Sequence, residues 1–253
     1  MFSAIVLITI QMSGLALGQS APSSEIAPVG KLRSGTIEIQ VVSGVAKPIG
    51  KFIAERLGAS CEPIGYATVE AYVQSFGKGE WDIAIGPKAL APAEKSDLVS
   101  DLWLSDLIYV TAPGHEFANA GEVDRPGVKV GVTQASPSDR FLSRTLKSAE
   151  IVRVPLSAQI VLDAIERLRS GKSDVYGTDA GIAYQVTAGL AGAKIVPGSF
   201  TTVLIALALP KGRSSAAQAK VAEIVTEAKR TGVIQKAIEQ AGLKSNAVRV
   251  APD

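Results

Sequence analysis

Along this chain, short runs in which apolar and polar residues alternate give way repeatedly to longer runs of helical period. Thr36–Val42 (TIEIQVV) alternates and is rich in β-branched residues, which predicts a strand. Pro48 then opens PIGKFIAERLGA, which places Ile49, Phe52, Ile53 and Leu57 on one helical face and stops at Gly58. Cys61–Tyr66 reads as a second strand, Thr68 as the cap of a helix (VEAYVQSF) that stops at Gly77, and Trp81–Ile85 as a short strand ending at Gly86. This β-α-β-α-β order predicts a parallel sheet with covering helices, right-handed connections, and ligands at the carboxyl ends of the strands.

Leu107–Thr111 is a further strand, followed by the polar stretch APGHEFANAGEVDRPG, and then the pattern restarts. Val128–Val132 and Ile151–Val154 read as strands, Asp139–Lys147 as a helix, and Ala158–Arg169 as an amphipathic helix stopped by Gly171. Asp174–Gly177 is a short strand, Asp179 opens a helix to about Thr187, and Lys194–Val196 is a strand. The long apolar strand Thr202–Leu209 closes at Pro210-Lys211-Gly212. Two helices rich in Ala, Lys, Glu and Ile follow, about Ser214–Arg230 and Gly232–Ala241. A doubled β-α-β-α-β set predicts two lobes of similar design.

Composition narrows the chemistry. The 253 residues are 47% hydrophobic and 20% charged, a globular balance long enough for one large domain or two smaller ones. The net charge of +2, without a basic run, argues against a nucleic-acid partner, and 5% aromatics leaves little for base stacking. One cysteine (Cys61) and one histidine (His115) disfavour an internal disulfide, a metal site and a histidine-based triad. No cofactor is expected.

The first residues read as an address. Phe2–Leu17 is almost continuously apolar but shorter than the roughly 20 residues that span a bilayer. Small residues follow it, so residues 1–21 are expected to be a secretory signal peptide cleaved after Gly18 or Ala21, although no Lys or Arg precedes the apolar run. Residues 22–30, Ser- and Pro-rich, read as a flexible lead-in. The mature protein is expected in the periplasm, as a monomer.

Four stretches in this order resemble the extracellular solute-binding proteins of family 3, the periplasmic receptors of ABC importers for amino acids and related solutes. They are Gly30-Lys31-Leu32-Arg33 before the first strand; the segment from Phe76 to Gly86, with Gly77-Lys78 and the strand WDIAI; Gly127–Val132 with the Ser/Thr-rich loop after it; and the segment from Leu168 to Asp179, with Gly171, Asp174 and Asp179. The resemblance implies a two-lobed periplasmic-binding-protein-like (type II) α/β fold, each lobe a mostly parallel sheet with flanking helices. Lobe 1 would be 31–110 plus 202–253, and lobe 2 would be 111–201. A small polar or anionic solute, amino-acid-like or an organic acid, would bind in the interlobe cleft without chemistry. An inner-membrane ABC permease would be a transient partner.

The resemblance also supplies candidate ligand contacts. Asp179 matches the aspartate that pairs with a ligand ammonium, although a carboxylate there can equally cap its helix. Ser136 and Ser138 match a carboxylate site at a helix N-terminus, where Ser138 can equally be an ordinary N-cap. The chain departs from the family at Ala91-Pro92-Ala93-Glu94, where an arginine fork would bind the α-carboxylate. Lys88 and Lys95 are the nearby cations, but a lysine lacks the bidentate geometry. Trp103 is the aromatic candidate for a cleft wall, with Ser105 and Tyr109 further along the same path. Ser43 lies in a short loop after the first strand. An alternative on the same fold is a cyclohexadienyl (prephenate or arogenate) dehydratase-like enzyme, for which Glu94 is the candidate acid. Another is an accessory binding protein without an importer.

Overall fold

The structure is a computed structural model and describes residues 22–157, 159–243 and 247–252. The expected signal peptide, residues 1–21, lies outside the described residues. Strand β1 is Lys31–Ile37 and helix α2 is Gln40–Arg56, after a short helix α1 at Pro22–Ile26. Then come β2 (Ser60–Tyr66), α3 (Val69–Ser75), β3 (Ile83–Pro87) and the 16-residue β4 (Ser96–Thr111). The next set is β5 (Lys129–Thr133), α4 (Pro137–Thr145), β6 (Glu150–Val154), α5 (Ile160–Arg169), β7 (Val175–Asp179) and α6 (Ala180–Gly189). The chain ends with β8 (Thr201–Pro210), α7 (Ser215–Arg230), α8 (Val233–Gln240) and β9 (Val248–Val250).

The strands run in the order β2-β1-β3-β8-β4-β7-β5-β6, with β9 against β4. Two parallel sets flank the antiparallel pair β4 and β8: β1 pairs with β2 and β3 on one side, and β5 pairs with β6 and β7 on the other. Strand β4 serves both halves. Its residues from Ser96 to Leu107 pair with β8, and those from Leu107 to Thr111 pair with β7. Leu107 thus stands opposite both Thr201 and Asp179, at the point where one half hands over to the other. The fold is two-lobed α/β, with β4 and β8 running at the junction.

Several elements differ from the sequence reading: β4 extends back to Ser96 from the expected Leu107–Thr111, and Lys194–Val196, read as a strand, makes an isolated bridge from Ile195 to Val110. The first strand is Lys31–Ile37, not Thr36–Val42, and the helix after it starts at Gln40, so Pro48 lies inside it. An internal proline costs about 3 kcal/mol, which burial of Val41, Val45, Ile49 and Ile53 at four-residue spacing offsets. Ser43 therefore lies on the first turn of a helix and not in a loop. Residues 22–30, read as a flexible lead-in, are docked. Ile26 is fully buried, and Glu25 accepts hydrogen bonds from the Ser214 N–H and hydroxyl at the start of α7. That carboxyl is held below its ordinary range by the Ser214 hydroxyl bond first. A further difference is β9, a strand too short for its alternation to register.

Candidate functional site

The carboxyl ends of β1, β3, β5 and β7 converge where the two halves meet, and a cavity of about 90 Å³ lies there. From the first half it is lined by Ile37, the start of α2 and Leu90; from the second, by Thr133, Ser136, Ser138, Asp179 and Ile182. Most of the lining is apolar, and Asp179 is the one ionisable side chain among the described residues that form it.

Asp179 ends β7 and caps α6. Its Oδ1 accepts the Gly181 N–H at 2.8 Å, and its Oδ2 accepts the Ser105 hydroxyl at 2.5 Å. The helix-capping reading of this residue is thus met, while the carboxyl also lines the cavity. Burial pushes the carboxyl up to about 6; the Ser105 and Gly181 bonds oppose that rise, and the nearby Asp106 adds to it. Asp106 is itself paired with Arg249 at 3.0 Å.

The turn before α4 is closed by its own side chains. Ser136, and not Ser138, is the N-cap, with its hydroxyl accepting the Asp139 N–H at 3.2 Å. Asp139 Oδ2 accepts the Ala135 N–H at 2.9 Å, and Asp139 is also held by Ser143 and by Arg153 at 3.0 Å. Ala135 adopts φ 59°, a left-handed conformation that costs about 1–2 kcal/mol for a residue with a Cβ. The Asp139 bond holds it there. Ser138 is only 3% exposed and lines the cavity, with its hydroxyl bonded to no other described residue.

Asp179, Ser136 and Ser138 are thus brought together. Ser105 joins them through its bond to Asp179, and the remaining candidates do not. Lys88 pairs with Asp101 at 3.0 and 3.2 Å and lines an adjoining crevice with Arg140 and Arg144. Lys95 lies on a different face, in a crevice with Gly77, Trp81, Glu94 and Lys211, so neither it nor Glu94 reaches the cavity. Trp103 is 1% exposed in the main core, on β4 opposite Ile205 and Val250, where packing has claimed it. Tyr109 is equally buried, against Phe200. Ser43 lines the outer mouth of the cleft with Lys47, Gln159 and Gln185. The sequence reading missed the apolar lining, above all Ile37, Leu90, Ile182 and Ile205. The one available signal was position: Ile37 and Ile205 lie in predicted strands and Ile182 at a helix start, while Leu90 carried none.

No protein-family model matches the chain, and no curated protein matches it. Solved structures do. An ancestral cationic amino acid solute-binding protein is 22% identical, covering 86% of this chain and 98% of its own, with a TM-score of 0.68. The solute receptor for L-cysteine of Neisseria gonorrhoeae is 15% identical, covering 91% and 99%, with a TM-score of 0.69. An amino acid ABC transporter substrate-binding protein from Streptococcus pneumoniae, bound to L-arginine, is 16% identical over 88% and 99%, with a TM-score of 0.68. At these identities the likeness is one of fold, and the fold is the two-lobed type II architecture of periplasmic binding proteins.

Proposed function

We propose that this chain is a divergent member of solute-binding protein family 3: an exported receptor that captures a small amino-acid-like solute for an ABC importer and performs no chemistry on it. The observation that carries this reading is the cavity at the handover of β4 from β8 to β7, lined by side chains from both parallel-sheet halves. Such a junction lets two lobes close on a solute about a pair of strands. Lobe 1 is 31–110 plus 202–253, and lobe 2 is 111–201. The receptor acts as a monomer in the periplasm and docks transiently on an inner-membrane permease.

Fold likeness to a structure described as a precursor of cyclohexadienyl dehydratase keeps an enzyme on this scaffold in view. Glu94, the acid that reading called on, stands outside the cavity. The test is a thermal-shift screen of amino acids, amines and organic acids, with scattering to follow lobe closure. A bound solute raises Tm in proportion to the logarithm of its concentration. A parallel incubation with prephenate is expected to yield no phenylpyruvate; turnover would replace the receptor reading with the enzyme.

A further inference from the structure

We infer that the crevice beside the cavity is a second subsite, which takes a phosphate-class dianion at the far end of the solute. This rests on the receptor reading: the amino-acid-like end fills the cavity, and the inference names what the rest of the molecule carries.

Three observations carry it. First, crevice and cavity are continuous. Pro87, Leu90, Leu107, Pro137 and Val203 line both, so a hydrocarbon chain can run from one into the other along an apolar neck. The crevice, about 400 Å³, is the larger of the two spaces. Second, its charged lining side chains are all cations, and they come from both halves: Lys88, directly after β3, from the first, and Arg140 and Arg144, on α4, from the second. A carboxylate answers one of them, Asp101 on Lys88. Third, the two arginines stand one helical turn apart, a spacing at which like charges repel. Each spends its Nε on a backbone carbonyl, Arg140 on Ala135 at 3.3 Å and Arg144 on Arg140 at 2.9 Å, and neither has a carboxylate partner among the described residues. Their terminal guanidinium nitrogens are left for a ligand. Two guanidiniums without counter-charge call for two negative charges, and a phosphate-class group brings these on three oxygens that match the planar donor forks. Because Lys88 and the arginines belong to opposite halves, one dianion between them also favours closure of the cleft.

The experiment is titration calorimetry on the purified chain with probes matched in length. 2-Amino-5-phosphonopentanoate is compared with norvaline, and 2-amino-7-phosphonoheptanoate with 2-aminoheptanoate; each pair differs only in the terminal phosphonate. At one length or both, the phosphonate is expected to bind at least about tenfold tighter than its methyl-ended partner, through two added charge-assisted contacts. The double variant Arg140→Gln/Arg144→Gln is expected to lose at least about tenfold in phosphonate affinity and to keep the affinity for the methyl-ended partner within about twofold. Arg169→Gln, an exposed cation on α5, is expected to leave both affinities unchanged. The inference is overturned, with the receptor left standing, by methyl-ended probes that bind as tightly as the phosphonates at both lengths, by equal phosphonate affinity in the double variant, or by another solute that binds when no phosphonate does. Inorganic phosphate alone binding as tightly as the phosphonates also overturns it, since the crevice would then serve a free anion and not the solute in the cavity. If no probe binds and no amine, amino acid or organic acid shifts Tm, the inference and the receptor reading fall together.

Discussion

The Ser105 hydroxyl and the Asp179 carboxylate, 74 positions apart, are joined by a 2.5 Å hydrogen bond at the junction of the two halves. Ser105 lies on β4 within its pairing with β8, and Asp179 ends β7 on the other side. The bond is thus a link between lobes as well as a contact inside the candidate site. It favours the charged form of a carboxyl that burial disfavours. Removing it by Ser105→Ala is expected to push the Asp179 carboxyl further above about 6, and to cost about 1–2 kcal/mol of stability. Carbon-detected titration of the side-chain carboxyl reads the first effect and urea unfolding the second; a carboxyl that titrates lower in the variant contradicts the assignment.

Asp179→Asn is expected to stabilise the fold at neutral pH. The folded-state value of about 6 lies above the ordinary 3.8, so the folded protein binds the proton more tightly than the unfolded chain. Stability from this group is therefore highest below about pH 4 and falls as pH rises through 6. The charged group facing it is Asp106, itself held by Arg249. Asparagine removes the cost of burying the charge, a gain of about 1–3 kcal/mol at pH 7.5 that vanishes near pH 4. Urea midpoints at the two pH values check this, and a gain equal at both would sink it.

The ion pair that Arg33 makes with the buried Asp82 is expected to matter far more than the half-buried one at Lys88. Asp82 has a side chain only 1% exposed, and it accepts the Arg33 backbone N–H, Nε and a guanidinium nitrogen at 2.7–3.1 Å. Arg33→Ala strands that carboxylate and should cost about 3–5 kcal/mol. Lys88→Ala breaks a pair whose two side chains are both partly in water and should cost under about 1 kcal/mol. Comparable losses for the two variants in urea unfolding would contradict this ordering.

Trp103 is expected to act on stability. Its truncation to Ala opens a void in the main core beneath β4 and should cost about 3–5 kcal/mol. Trp103→Phe, which keeps most of the packing, should leave solute affinity unchanged in calorimetry. A variant that folds normally yet loses affinity would return Trp103 to the cleft wall.

Much of the fold was legible because helix and strand periods are local. Thr68 caps α3 through its hydroxyl, and Asp179 caps α6, at the positions their sequence neighbourhoods suggested. The failure at the first strand has a physical cause. Thr36–Val42 has a strand-like alternation, yet Val41, Val45, Ile49 and Ile53 share a helical face whose burial overrides both that alternation and Pro48. The length of β4 was missed for a similar reason. Leu98/Ser100 and Asp101/Trp103 mark breaks in its register with β8, so the alternation is interrupted although the strand continues.

The candidate site was half legible. Asp179, Ser136 and Ser138 stand at strand-to-helix turns, where exposed N–H groups and carboxyl ends make a site predictable from local order. For Lys88, Lys95 and Trp103 the sequence said only that a cation or an aromatic ring was near a turn. Which side of a lobe each faced, and whether a partner such as Asp101 already held it, depended on contacts between distant segments.

What the sequence determined by itself was the doubled strand–helix rhythm and hence the α/β class, because period and capping are properties of neighbouring residues. What only the tertiary structure decided was the character of the cavity. Its walls come from segments as far apart as Ile37 and Ile205, each apolar for reasons that read locally as ordinary core. Only when β4 passes from β8 to β7 do they face one another around a single carboxylate, and a single charge among hydrocarbon walls is a property of the assembled site and of no stretch of the chain.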